Sequence, residues 1–171
     1  MRARHVTFRR GMTLMEALLA STLLAMGASA IVLPFTAAAQ NEEADARRTL
    51  TVHLAQEMIE EIVSKPFNDP QGGGDVGPEG GEISRGLYDN IDDYHGYADG
   101  YGQTIGEIVG LAGQLIDNPA AKYLSRHVAT TYVYVAGQDS GDDPNFIRID
   151  VTMKYKSDEM LTLTRMVYQP Q

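Results

Sequence analysis

The chain has 171 residues, 43% of them apolar, with four Phe, no Trp and a formal net charge of −9, enough for one modest globular domain beside a separate hydrophobic segment. Its basic residues cluster nowhere beyond the first ten positions, so it lacks the electrostatic footprint of a protein that grips phosphate backbones, and nucleic acid is not expected as a partner. The absence of cysteine removes disulfide frameworks, thiolate metal sites and a cysteine nucleophile.

From the N-terminus, Arg2, Arg4, Arg9 and Arg10 come first with no acid among them, and then 25 uncharged residues run from Ala17 to Asn41. A basic flank of this kind holds the N-terminal side of a span in the cytoplasm, so the chain beyond the span is expected to be exported. Ala17 to Ala39 makes about 35 Å of helix at ~1.5 Å per residue, and a hydrocarbon layer is about 30 Å thick. A cleavable secretory signal would need a shorter apolar core, although "TAAAQN", Thr36 to Asn41, offers a small-residue cut. A plain single-span anchor explains the length and the arginines but not Glu16 at the entrance, where an ionised carboxylate costs about 2–3 kcal/mol. Such an acid needs a partner.

"RRGMTLME", Arg9 to Glu16, resembles the type IV prepilin processing motif: a basic leader ending in glycine, a cut after it, and a mature start of hydrophobic residue, Thr, Leu, any residue, Glu. The resemblance implies that residues 1–11 are a leader removed by prepilin peptidase between Gly11 and Met12, and that the same enzyme methylates the new α-amino group of Met12. It makes Thr13, Leu14 and Glu16 the start of a transmembrane and assembly helix over 12–40, with Glu16 neutralising the α-ammonium of a neighbouring subunit. Met12 stands where the family more often has phenylalanine. The implied partners are sibling pilins or pseudopilins, the peptidase and an inner-membrane assembly platform. Loss of the four arginines takes the formal charge from −9 to −13.

Within the span, Gly27 with Ala25, Ala28, Ser29 and Ala30 allows close helix approach. Pro34 removes one backbone donor and is expected to kink or loosen the helix; in pilin relatives a proline near this depth marks a stretch that can extend, and it is equally a proline tolerated in a membrane helix. An amphipathic continuation is expected over 41–65, with Leu50, Leu54, Met58 and Ile62 recurring every four positions beside Ala55 and Ile59, and Glu57, Glu60 and Glu61 on other faces. Pro66 disfavours helix in the residue before it and sets the end near Lys65. "HLAQEMIEEI", His53 to Ile62, resembles the same region of minor pilins of the V type and of type II secretion minor pseudopilins of the I type. His53 reads as a surface or core-edge residue.

The segment 66–125 holds 13 of the 17 glycines and reads as long irregular structure. In "LYDNIDDYHGYADGYG", Asp89, Asp92, Asp93 and Asp99 offer oxygen ligands of the kind calcium takes, but the spacing is not that of an EF-hand loop and no glutamate closes it. The segment is therefore read as a hydrogen-bonded, turn-rich loop whose tyrosines cover a sheet, with no metal. Similar "DDYHGY" stretches occur in loops of the pilin family. No serine, cysteine or cofactor loop accompanies His95. "TIGEIVGLAGQLID", 104–117, has helical apolar spacing, and a short helix is expected there despite three glycines.

The last part, 126–171, predicts three antiparallel strands: "HVATTYVYVA", "FIRIDVTMKYK" and, after an "SDE" turn, "MLTLTRMVY". Ile147, Ile149, Val151, Met153 and Tyr155 alternate with Arg148, Asp150, Thr152, Lys154 and Lys156, and the apolar face needs the stripe at 50–62 as its cover. The expected fold is α+β and pilin-like: a long N-terminal helix, membrane-spanning then amphipathic, on a small C-terminal antiparallel sheet. The expected function is that of a non-enzymatic minor pilin or pseudopilin without a cofactor, serving a type IV pilus or type II secretion system. It would sit single-pass in the inner membrane with its N-terminus cytoplasmic and its C-terminal domain in the periplasm or at the cell surface. The alternative is a membrane-anchored exported binding protein that never assembles.

Overall fold

A computed structural model describes residues 11–70, 72, 76–111, 113–138 and 144–169. Arg2, Arg4, Arg9 and Arg10, in the expected leader, lie outside these. The chain divides into two compact units, Met1–Ala44 and Asp45–Gln171, and one helix, α1 (Leu14–Val63), contributes to both.

In the first unit α1 is apolar all round, and every side chain from 11 to 43 is exposed. It contains a stretch long and apolar enough to cross a membrane, with none of that stretch buried. The helix continues through Pro34, which cannot donate to the carbonyl four residues earlier.

In the second unit α1 becomes one-sided. Thr51, Leu54, Ala55, Met58 and Ile62 are buried and Leu50 and Ile59 partly so, at the i, i+3, i+4 spacing of a helix face laid on a sheet. The helix closes at Val63, with Ser64 N–H on Glu60 O and Lys65 N–H on Ile62 O, immediately before the proline that prevents its continuation.

The sheet has four antiparallel strands in the order β1-β2-β3-β4: β1 (Ala98–Gly100), β2 (Leu124–Val133), β3 (Phe146–Tyr155) and β4 (Asp158–Tyr168). Ile147, Ile149, Val151 and Met153 of β3 are fully buried and join one core with the α1 stripe, while Arg148 and Asp150 pair at 2.9 Å on the other face. The arrangement is thus α+β and pilin-like, a long N-terminal apolar helix whose C-terminal part packs on a small antiparallel sheet.

Three expectations are corrected in detail. Among the described residues there are four strands, not three: β1, "ADG", has no β-propensity of its own and is held by pairing Ala98, Asp99 and Gly100 with His127, Arg126 and Ser125. Gly100 sits at φ +96°, and a Cβ there would run into the Leu124 carbonyl and Ser125 Cα, so only glycine fits. The connection between β3 and β4 is Lys156–Ser157, with Lys156 at φ +58°, and Asp158 and Glu159 already belong to β4. Segment 104–117 is not a helix. Val109 bridges Leu115, Ile116 N–H reaches Ile108 O, and Gly113 N–H reaches Gly110 O with Gly113 at φ +75°. Its glycines, each costing a helix about 1 kcal/mol, serve a tight reversal instead.

One ion pair fastens this irregular segment to the core. Arg126 and Asp99 are both fully buried, with guanidinium nitrogens 2.6 and 3.1 Å from the carboxylate oxygens. Arg126 also donates to Val109 O at 2.7 Å and to Leu54 O on α1 at 3.3 Å. Asp99 further accepts from Val109 N at 2.9 Å and from the Tyr97 hydroxyl at 3.1 Å. Arg126→Met leaves Asp99 an uncompensated buried charge, and is expected to cost about 3–5 kcal/mol. The double variant Arg126→Met/Asp99→Leu should recover most of that loss, as measured by urea unfolding of the detergent-solubilised full chain.

Candidate functional site

The residues singled out by the processing motif sit where α1 begins. Gly11, Met12 and Thr13 precede the first helical residue and are exposed, so the Gly11–Met12 bond is sterically open. The first turn of α1 is closed by a reciprocal cap: Glu16 N–H donates to Thr13 Oγ1 at 3.2 Å. In return, the Glu16 carboxylate accepts the Thr13 backbone N–H at 3.3 Å and lies 3.4 Å from the Thr13 hydroxyl. A Thr followed three residues later by Glu is the capping-box pattern, and "TLME" already carried that signal in the sequence beside its resemblance to a processing motif. The acidic residue also lies at the positive end of the helix dipole. The cap satisfies hydrogen bonding but leaves the charge: among the described residues no ion pair includes Glu16.

Further along the apolar stretch the hydroxyls are turned inward on the backbone. Ser21, Thr22, Ser29 and Thr36 donate to the carbonyls of Leu18, Leu19, Met26 and Leu33 at 2.8–2.9 Å. Each polar side chain is therefore satisfied within the helix, as an apolar surrounding requires. Gly27 has no heavy atom within 4 Å of where a Cβ would stand, so this small-residue patch is free for close approach.

In the second unit the four loop aspartates do not gather into one ligand set. Asp99 is consumed by Arg126. Asp93 Oδ2 accepts the N–H groups of Asp89 and Asn90 at 2.8 and 3.0 Å, while Asn90 Oδ1 accepts Asp93 N–H at 3.0 Å, which ties the 3-10 turn Asp92–Tyr94 to the residues before it. Asp92 is buried, and burial pushes its carboxyl up from the ordinary value. His95 Nδ1 lies 2.9 Å from Thr130 O on β2, a structural contact with no nucleophile beside it. His53 is exposed.

Sequence reading missed a second, half-buried cluster, because its members are far apart in the chain. Glu61 on α1 takes Arg85 in a two-point ion pair, with Nε to Oε1 at 2.8 Å, and the Tyr94 hydroxyl at 2.8 Å. Arg85 also donates to Val109 O at 2.8 Å, and Glu57 accepts Leu111 N–H at 2.6 Å. Two α1 glutamates read as facing water instead hold the loop. Burial acts to raise the Glu61 carboxyl, but the Arg85 and Tyr94 hydrogen bonds and the nearby guanidinium charges outweigh it and hold it below its ordinary 4.5.

The chain matches no family model, no curated protein and no solved structure.

A carboxyl held low in the folded state stabilises above its unfolded value and loses that contribution as pH falls through the folded one. Stability should therefore drop below about pH 4.5 as Glu61 takes up a proton. Glu61→Gln should be less stable at neutral pH and show a shallower acid limb, as read by melting temperature against pH.

Proposed function

We propose that this chain is a minor pilin or pseudopilin: a non-enzymatic subunit made as an inner-membrane precursor, cut after Gly11, methylated on Met12 and assembled through α1. The observation that carries the reading is the junction at residues 9–16. A basic leader ends in an exposed Gly11–Met12 bond, Glu16, with no ion-pair partner among the described residues, lies within one helical turn of it, and a charge-free exposed helix comes next. A carboxylate there is costly unless a cation meets it, and the α-ammonium created by cleavage in a neighbouring copy is a cation of the right charge at the right depth. The α+β unit with one helix face on an antiparallel sheet supports the same family. The prepilin peptidase, sibling subunits and the assembly platform are the proposed partners. The peptidase-side flank would be cytoplasmic, and the unit from Asp45 onward would lie in the periplasm or on a filament.

A second reading is favoured by one specific observation. The Thr13–Glu16 cap accounts for a glutamate at this position in a plain membrane anchor that never assembles. The two readings part at the first processing step. Intact-mass measurement of the protein extracted from membranes of cells that carry a prepilin peptidase should give Met12–Gln171 with one added methyl group. Recovery of the Met1 terminus alone, or of a terminus at Gln40, would overturn the proposal.

A further inference from the structure

Three carboxylates from two turns converge in the second unit. Glu79 and Glu82 lie before the 3-10 turn Arg85–Leu87, and Asp93 lies in the turn Asp92–Tyr94. One carboxylate oxygen from each is within 4.8 Å of the other two. Asp93 is completely buried. Its Oδ2 is spent on the Asp89 and Asn90 N–H groups, whereas its Oδ1 is buried with no hydrogen-bond partner. Among the described residues no ion pair reaches any of the three.

We propose that Glu79, Glu82 and Asp93 bind a divalent cation of the calcium class, with Asp93 Oδ1 as the buried ligand. Oxygens on a calcium shell of radius about 2.4 Å are separated by at most about 4.8 Å, a bound that all three pairs meet. Magnesium demands near-ideal octahedral geometry, retains several waters and usually takes only one or two carboxylates. Glu79 and Glu82 are half-buried, so water completes the shell from the open side. Three carboxylates on short turns suit the affinity of extracellular calcium modules, about 10⁻⁴–10⁻³ M. This inference does not depend on the filament reading.

The test uses the full chain in detergent micelles, stripped with chelator and then titrated with calcium chloride at neutral pH. Calcium at several millimolar should raise the melting temperature by a few degrees, since a ligand bound only to the folded state stabilises it by mass action. Glu79→Gln/Glu82→Gln should lose that shift while melting no lower than wild type without metal, because the substitution removes like-charge repulsion. Terbium luminescence excited through tyrosine, and its displacement by calcium, reads binding on the wild-type chain independently of any variant. A melting temperature indifferent to calcium, a shift retained in the double variant, terbium emission that calcium does not displace, or an equal shift with magnesium would each overturn the proposal.

Discussion

A helix cannot present an apolar surface on every side to water, and the N-terminal part of α1 does so. Leu14, Leu24 and Phe35 are 82%, 75% and 72% exposed, and covering each such side chain is worth about 1.5–3 kcal/mol. The hydroxyls of Ser21, Thr22, Ser29 and Thr36 are already returned to the backbone and do not ask for solvent. The cover of this stretch must come from a bilayer or from other apolar helices. In the filament reading proposed above, those are the two environments the subunit would exchange between, and Glu16 is the group whose charge would distinguish them, because lipid offers it no partner.

The second unit solves a different problem, which is to hold a glycine-rich segment of some sixty residues, 66–125, against a small core. Its apolar residues Ile91, Tyr94, Tyr97 and Ile108 reach the core, but the ordering of the chain between them rests on polar side chains planted in the regular elements. Arg126 in β2 gathers Asp99, Val109 and Leu54 around one guanidinium, and Glu61 on α1 gathers Arg85 and Tyr94. Buried ion pairs contribute little net stability over apolar replacements; here they specify which loop conformation is adopted.

The regular elements were legible because their periods are strong. The stripe at Leu54, Met58 and Ile62 and the alternation from Ile147 to Met153 both lie in the core as their spacing requires. What was not legible depended on distant partners. β1 is a strand only because β2 lies beside it. The 104–117 pattern has helical spacing, yet Ile108 reaches the core while Leu111 and Leu115 are each 57% exposed, and its glycines make a helix costly. Arg126 left a faint trace, a charged residue between Leu124 and Val128 on the buried row of a strand, but its partner 27 residues earlier could not be named from local pattern. The resemblance to a processing motif rests on the short string Arg9–Glu16, and the cap formed by Thr13 and Glu16 was hidden in it because the same letters carry both signals.

Cap and charge can be separated at Glu16, since glutamine at the third helical position still caps but carries no charge. Crosslinking to sibling subunits and recovery in sheared filaments should therefore be compared for Glu16→Gln, Glu16→Asp and the wild-type chain, all processed and inserted to the same level. If the carboxylate compensates a neighbour's α-ammonium, Glu16→Gln should fall well below Glu16→Asp in both readouts. Wild-type incorporation of Glu16→Gln would show that Glu16 serves only its own helix, and would contradict assembly by charge pairing at this residue.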